Sequence, residues 1–200
     1  MPLKKSKFGE SFQSALGSFF SWLPLSPNQI TVLALLFAIV GFCFATTQQA
    51  YISLLFFILA GAVDAIDGAV ARFRKQVTAR GAYIDGIIDR LVEFLLVLSL
   101  FFFYIPSFIL PAALLLIIIL FFGTCMTSFA TAYAEHRHVA DSRKISGQPG
   151  ILPRAERLIL LFAALALVQS SPDISALLIL ACALLAVITF AQRFWYFAEN

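Results

Sequence analysis

The stretch VDAIDGAVARFRKQVTARGAYIDGIIDR, residues 63–90, decides how this chain is read. It holds four aspartates, Asp64, Asp67, Asp85 and Asp89, and the sequence on either side is almost purely apolar. Asp64 and Asp67 are three apart and Asp85 and Asp89 four apart, so each pair projects from one face of a helix. Two adjacent antiparallel helices can bring all four to one depth. Four unpaired carboxylates that close repel strongly. Hard divalent cations, Mg²⁺ or Mn²⁺, suit such oxygen ligands, and two ions about 4 Å apart would neutralise the cluster.

The surrounding composition places this stretch in a membrane. Of 200 residues, 61% are hydrophobic and only 12% charged, about half the ~25% charged residues of a soluble domain. Such a surface faces lipid, and no nucleic-acid partner is expected. An ionisable side chain near the bilayer centre costs roughly 2.5 kcal/mol or more, so four carboxylates at the ends of two membrane helices require a purpose. Cys43, Cys125 and Cys182 all lie inside apolar runs. Their odd number and wide spacing argue against a disulfide framework or a zinc site.

A membrane span needs about 20 mostly apolar residues. Six segments qualify or nearly qualify, at about 29–46, 51–72, 82–104, 108–134, 155–168 and 174–194. The first opens with SPNQIT, where Ser26 is an N-cap and Pro27 a first helical residue. Before it, Phe8, Phe12, Leu16, Phe19, Phe20 and Leu23 recur at helical spacing, with Lys4, Lys5 and Lys7 nearby. This pattern reads as an amphipathic helix on the membrane surface rather than a signal peptide. The expected fold class is therefore all-α and polytopic. A juxtamembrane surface helix in residues 1–25 precedes a bundle of six transmembrane helices in residues 26–200, the whole forming one membrane domain.

The fourteen basic residues fall at the N-terminus, around the second-to-third and fourth-to-fifth connections, and at the C-terminus. The connections TTQQA, YIPS and QSSPD contain no Lys or Arg. With six spans, the basic regions share one side, and the positive-inside rule makes that side cytoplasmic, together with both termini and the aspartates.

Small residues accompany the carboxylates. Gly68 follows Asp67, Ala71 lies about one turn beyond, and Gly81, Asp85 and Asp89 are spaced by four. Glycine beside a helix costs stability and marks close approach of a ligand or another helix. Arg72 is suited to clamp a phosphate. The pattern Asp64-xx-Asp67-Gly68-xx-Ala71-Arg72, eight residues, then Gly81-xxx-Asp85-xxx-Asp89 resembles the signature of the CDP-alcohol phosphotransferase family at every defined position. The six-span plan and the SPNQIT opening also resemble that family.

The resemblance implies an integral membrane enzyme that transfers a substituted phosphate from a CDP-linked lipid to an alcohol and releases CMP. It implies that Asp64, Asp67, Asp85 and Asp89 bind metal, with Asp89 also the base that activates the acceptor hydroxyl. Gly68, Ala71, Arg72 and Gly81 would line the CDP site, and the enzyme would be a homodimer. For the acceptor, Arg137, Arg143, Lys144, Arg154 and Arg157 surround the fourth-to-fifth connection. Of these, Arg137, Arg154 and Arg157 are the candidates to bind a phosphorylated polyol such as inositol phosphate or glycerol 3-phosphate. Arg154 and Arg157 are three apart and can point the same way. Two rival readings use the same acids. A prenyltransferase-type enzyme also binds magnesium through aspartate-rich motifs but usually has more spans, and a divalent-cation transporter would favour acids near mid-membrane.

Overall fold

Ser26 and Gln29 cap each other where the first helix begins. The Gln29 N–H donates to the Ser26 hydroxyl at 3.4 Å, and the Ser26 N–H donates to the Gln29 side-chain oxygen at 2.8 Å. This reciprocal pair satisfies two donors that a helix start otherwise leaves open. The computed structural model describes residues 17–20, 22, 26–139 and 150–199. Among them the ordered elements are all helical: α1 (Pro27–Thr46), α2 (Ala50–Phe73), α3 (Ala79–Leu100), α4 (Ala112–His136), α5 (Arg154–Leu167) and α6 (Pro172–Ala198). Four of these, α1, α2, α4 and α6, are long and apolar enough to cross a membrane. Helix α3 carries Arg80, Asp85, Asp89, Arg90 and Glu93, and α5 has 14 residues.

The helix expected in residues 1–25 lies largely outside the described residues. One helical turn, residues 17–20, is described. Gly17 is buried, and a Cβ there would stand 2.7 Å from the Ala69 carbonyl oxygen and 2.8 Å from Phe73 Cβ. Only glycine lets this turn rest so closely on the end of α2.

Several boundaries differ from those expected, among them both sides of the third-to-fourth connection. The third helix stops at Leu100 rather than near Tyr104, and the fourth starts at Ala112 rather than near Phe108. Pro111, with φ −56° and ψ 136°, is extended and directly precedes α4. A proline there serves as the boundary that residue 108 cannot. Within α4, residues Ile119–Met126 are π-helical, between α-helical Ala112–Ile118 and Thr127–His136.

The turn from α2 to α3 decides where the aspartates fall. Lys75 takes the left-handed conformation, φ 55°. The Gln76 N–H then donates back to the Ala71 carbonyl at 2.9 Å, closing the end of α2. Thr78 opens α3 by accepting the Gly81 N–H on its hydroxyl at 3.0 Å.

The chain divides into two compact units. The first comprises Met1–Gly41 and Leu55–Val92, and its buried residues include Ile30, Ala34, Ala38, Phe57, Ala60 and Val70. The second comprises Phe42–Leu54 and Glu93–Asn200. Its centre is α6, which packs against α5 and along α4. Ala164, Ala176, Ala183 and Ala186 are buried there. Their small side chains allow helix backbones to approach closely. The Ser175 hydroxyl donates to the Ala164 carbonyl at 2.9 Å. All three cysteines are free thiols, Cys182 buried and Cys43 and Cys125 exposed.

Candidate functional site

In the first unit, α1, the end of α2 and the start of α3 enclose a cavity of about 300 Å³. Six signature residues line it: Asp67, Gly68, Ala71, Arg72, Gly81 and Asp85. Four polar residues outside the signature complete the wall: Asn28 and Thr31 from α1, and Gln76 and Thr78 from the connecting turn. The fit at Gly81 is close. A Cβ there would lie 3.0 Å from the Thr78 hydroxyl and 3.2 Å from the Asn28 side-chain oxygen. At Gly68 a Cβ would be 3.4 Å from each terminal nitrogen of Arg72, whose guanidinium therefore lies over that glycine.

Asp64, Asp67 and Asp85 each present a carboxylate oxygen, all within 4.8 Å of one another. Asp67 is 5% exposed. It accepts from the Thr31 hydroxyl and the Gly68 N–H, yet its Oδ2 is buried and has no hydrogen-bond partner among the described residues. A buried carboxylate oxygen without a donor, beside two further carboxylates, is unfavourable unless a cation answers it. The donor set, all hard oxygen, fits Mg²⁺ or Mn²⁺. Asp89 stands one turn beyond Asp85 on α3 and is not one of the three that converge; its Oδ2 lies 3.5 Å from Arg90 Nη1.

The three arginines considered for the acceptor have different surroundings in the second unit. Arg137 is exposed at the end of α4. Its guanidinium lies 5.1 Å from the centre of the Tyr133 ring and its Nε donates to the Tyr133 hydroxyl at 3.0 Å. Arg157 is turned inward, 5% exposed, and makes a two-point ion pair with Glu93 through Nε to Oε1 and Nη2 to Oε2, the latter at 3.0 Å. Arg154, at the start of α5, is partly exposed and has its Nε 3.9 Å from the same Glu93. Arg154 and Arg157, three apart, both face the buried carboxylate of Glu93.

Sequence reasoning passed over Glu93 and Arg193. Glu93 continues the spacing of Gly81, Asp85 and Asp89 by one more step of four, a signal that was there to be used. Arg193, on α6, donates from Nη1 to the Thr127 carbonyl at 3.1 Å and to the Thr131 hydroxyl at 3.4 Å. A lone arginine near the end of the last span gives no such hint.

The profile of the CDP-alcohol phosphatidyltransferase family matches residues 24–191. Among curated proteins, the archaetidylinositol phosphate synthase of Pyrococcus horikoshii is 28% identical over 179 residues, covering 89% of this chain and 86% of that one. The protein of the same name from Aeropyrum pernix is 28% identical over 183 residues, covering 92% and 88%. Among solved structures, Mycobacterium tuberculosis phosphatidylinositol phosphate synthase with CDP-DAG bound gives a TM-score of 0.78 at 21% identity, covering 94% of each chain. The same enzyme in complex with manganese and citrate also gives 0.78. At that identity the likeness is one of fold.

Proposed function

The chain belongs to the CDP-alcohol phosphatidyltransferase family, and from that premise we propose a particular reaction, a set of residue roles and a class of acceptor. The enzyme is an integral membrane, divalent-metal-dependent transferase of substituted phosphate groups. The observation that carries the reading is the convergence of Asp64, Asp67 and Asp85 in the unit whose cavity is lined by the rest of the signature. Asp64, Asp67 and Asp85, with Asp89, would hold Mg²⁺ or Mn²⁺, two ions in all, which when bound supplies positive charge to a pyrophosphate and its leaving group. Gly68, Ala71 and Gly81 leave room for the CDP group, and Arg72 holds its phosphates. Asp89 accepts the proton of the acceptor hydroxyl. That oxygen attacks the phosphorus that carries the lipid, and the phosphorus–oxygen bond to CMP breaks. The attack has to be in line, so positioning supplies much of the rate.

The acceptor is a small phosphorylated polyol, inositol phosphate before glycerol 3-phosphate. The names of the archaeal relatives support this choice, as do the exposed Arg137 and the partly exposed Arg154, because guanidinium groups suit a phosphate monoester, while Arg157 is committed to Glu93. The donor is a CDP-linked lipid of the phosphatidyl or archaetidyl type. We further propose that α3 and α5 also cross the membrane, giving six spans. On the positive-inside rule the cavity and both termini then face the cytoplasm. Because α1, α2 and α3 each run unbroken through both compact units, we take residues 26–200 as one membrane domain, following a surface helix in residues 1–25. The enzyme is a homodimer in this reading, and a purely monomeric mass in mild detergent would overturn that part.

The test is CMP release by the purified protein from CDP-diacylglycerol and its archaeal ether analogue, offered inositol phosphate, glycerol 3-phosphate, inositol and serine. Release is expected with a phosphorylated polyol only. Release with serine alone would reject the acceptor assignment, and no release with any pair would reject the reaction.

A further inference from the structure

The second unit buries a carboxylate that the reaction does not use. Glu93 is 1% exposed, and its two oxygens are fully engaged. Oε1 accepts from the Thr124 hydroxyl at 2.9 Å and from Arg157 Nε. Oε2 accepts from Arg157 Nη2 at 3.0 Å and lies 3.9 Å from Arg154 Nε. One negative charge is thus faced by two guanidinium groups, leaving a formal charge of about +1 on the cluster.

The surroundings are shaped around this pair. Gly123 makes room for the arginine stem: a Cβ there would meet Arg157 Cδ at 3.1 Å and Nε at 3.4 Å. Gly123 and Thr124 both lie in the π-helical segment Ile119–Met126, and such segments often occur at functional sites. The chain leading into α5 is fastened as well. The Leu152 N–H donates to the Thr189 hydroxyl at 3.0 Å, and the Ile151 N–H to the Gln192 side-chain oxygen at 3.1 Å. Arg154 follows directly and starts α5. The backbone just before it is held to α6 by these bonds, and its Nε stands 3.9 Å from Glu93.

Stability alone gives little reason for such a pair. Replacing a buried ion pair by apolar residues of similar volume is often neutral or favourable, while removing one partner is strongly destabilising. A carboxylate that is engaged at both oxygens and set beneath a partly exposed arginine has a use if that arginine must be aimed. We propose that Glu93 is a positioning residue for acceptor binding. With Arg157 and Thr124 as its scaffold, it orients Arg154 toward the acceptor's phosphate and limits the charge offered there. This rests on the reading that the acceptor carries a phosphate monoester. Arg157, at 5% exposure, serves the scaffold and leaves contact with the acceptor to Arg154.

The experiment compares wild type, Glu93→Gln, Thr124→Val and the paired variant Glu93→Leu/Arg157→Met, all purified as the full chain. The KM for inositol phosphate, the KM for the CDP-lipid and the Mn²⁺ concentration giving half-maximal rate are measured for each. Losing a well-aimed charge-assisted hydrogen bond corresponds to about 10- to 100-fold. We expect the acceptor KM to rise by that factor in Glu93→Gln and in the paired variant, and by less in Thr124→Val. The lipid KM and the Mn²⁺ requirement should stay within about twofold of wild type, a split that general loosening of the fold would not produce. The paired variant keeps the test decisive where Glu93→Gln does not fold. An unchanged acceptor KM in a folded paired variant overturns the proposal, as does a proportional rise in all three quantities. A wild type that uses no phosphorylated acceptor overturns this proposal and the acceptor assignment together. A wild type that uses one, beside variants that behave like it, overturns this proposal alone.

Discussion

Two buried acids in one apolar chain, Asp67 and Glu93, are resolved in opposite ways. In the first unit, Asp64, Asp67 and Asp85 converge within 4.8 Å, and Asp67 keeps an oxygen with no hydrogen-bond donor among the described residues. In the second, Glu93 is met at both oxygens by Arg157 and by Thr124. The first arrangement is incomplete without a cation from outside, while the second is closed by the chain itself. A carboxylate prepared for a ligand and one prepared for architecture therefore differ in what surrounds them more than in how deeply they lie.

That contrast can be broken most directly at the open cluster. Chelation of divalent ions should abolish transfer, and Mg²⁺ or Mn²⁺ should restore it. Asp67→Asn should lower the rate by more than about 10²-fold, beyond the usual effect of losing an outer partner of a metal ligand. The same substitution removes a repulsion, so the metal-free protein should melt at a higher temperature than wild type and gain less from added Mn²⁺. Glu93→Leu should do the reverse, lowering the melting temperature, because it strands the Arg157 charge at a penalty of about 3–5 kcal/mol. If the two variants shift the metal-free melting temperature in the same direction, the distinction between open and closed acids fails.

Asp89→Asn sharpens the comparison within the signature itself. A base should act on turnover, so kcat should drop by about 10²–10⁴-fold with little change in CDP-lipid affinity. A rate within about twofold of wild type would exclude that role for Asp89.

The glycines test the same contrast with smaller effects. Gly123→Ala presses on the Arg157 stem, and overpacking of this kind destabilises by about 1–3 kcal/mol. Gly81→Ala presses instead on Thr78 and Asn28 at the wall of the cavity. It should raise the CDP-lipid KM by a few-fold, about 1 kcal/mol or less, because the Asn28 side chain can give way. Thermal unfolding and substrate titration separate the two outcomes, and an exchange of these effects would contradict the assignment of the two regions.

Much of this was legible in the sequence because it depends on short-range spacing. The Ser26 cap, the left edge of α2 and the convergence of three aspartates follow from residues at most a few turns apart or joined by one short connection. The start of α4 was not legible from hydropathy, because the apolar run begins before Pro111, the residue that sets the boundary. The partner of Arg157 was not legible: Glu93 lies 64 positions away, and nothing local in PRAERLIL announces it. The π-helical turn was not legible either. ILFFGTCM is apolar like the turn before it, and its hydropathy is the same whichever hydrogen-bond ladder it adopts.

That turn also changes how differences in chain length can be absorbed. In an ordinary span, adding or removing one residue rotates everything downstream by about 100°, which would carry Thr127 and Thr131 away from Arg193. A π-helical stretch closes its bonds at i→i+5 instead of i→i+4, so it already accommodates surplus backbone between two α-helical parts. It acts as a phase adjuster. The part of α4 before Ile119 and the part after Met126 can each keep its own facing, and a single-residue deletion within residues 119–126 is the length change this span is best built to survive.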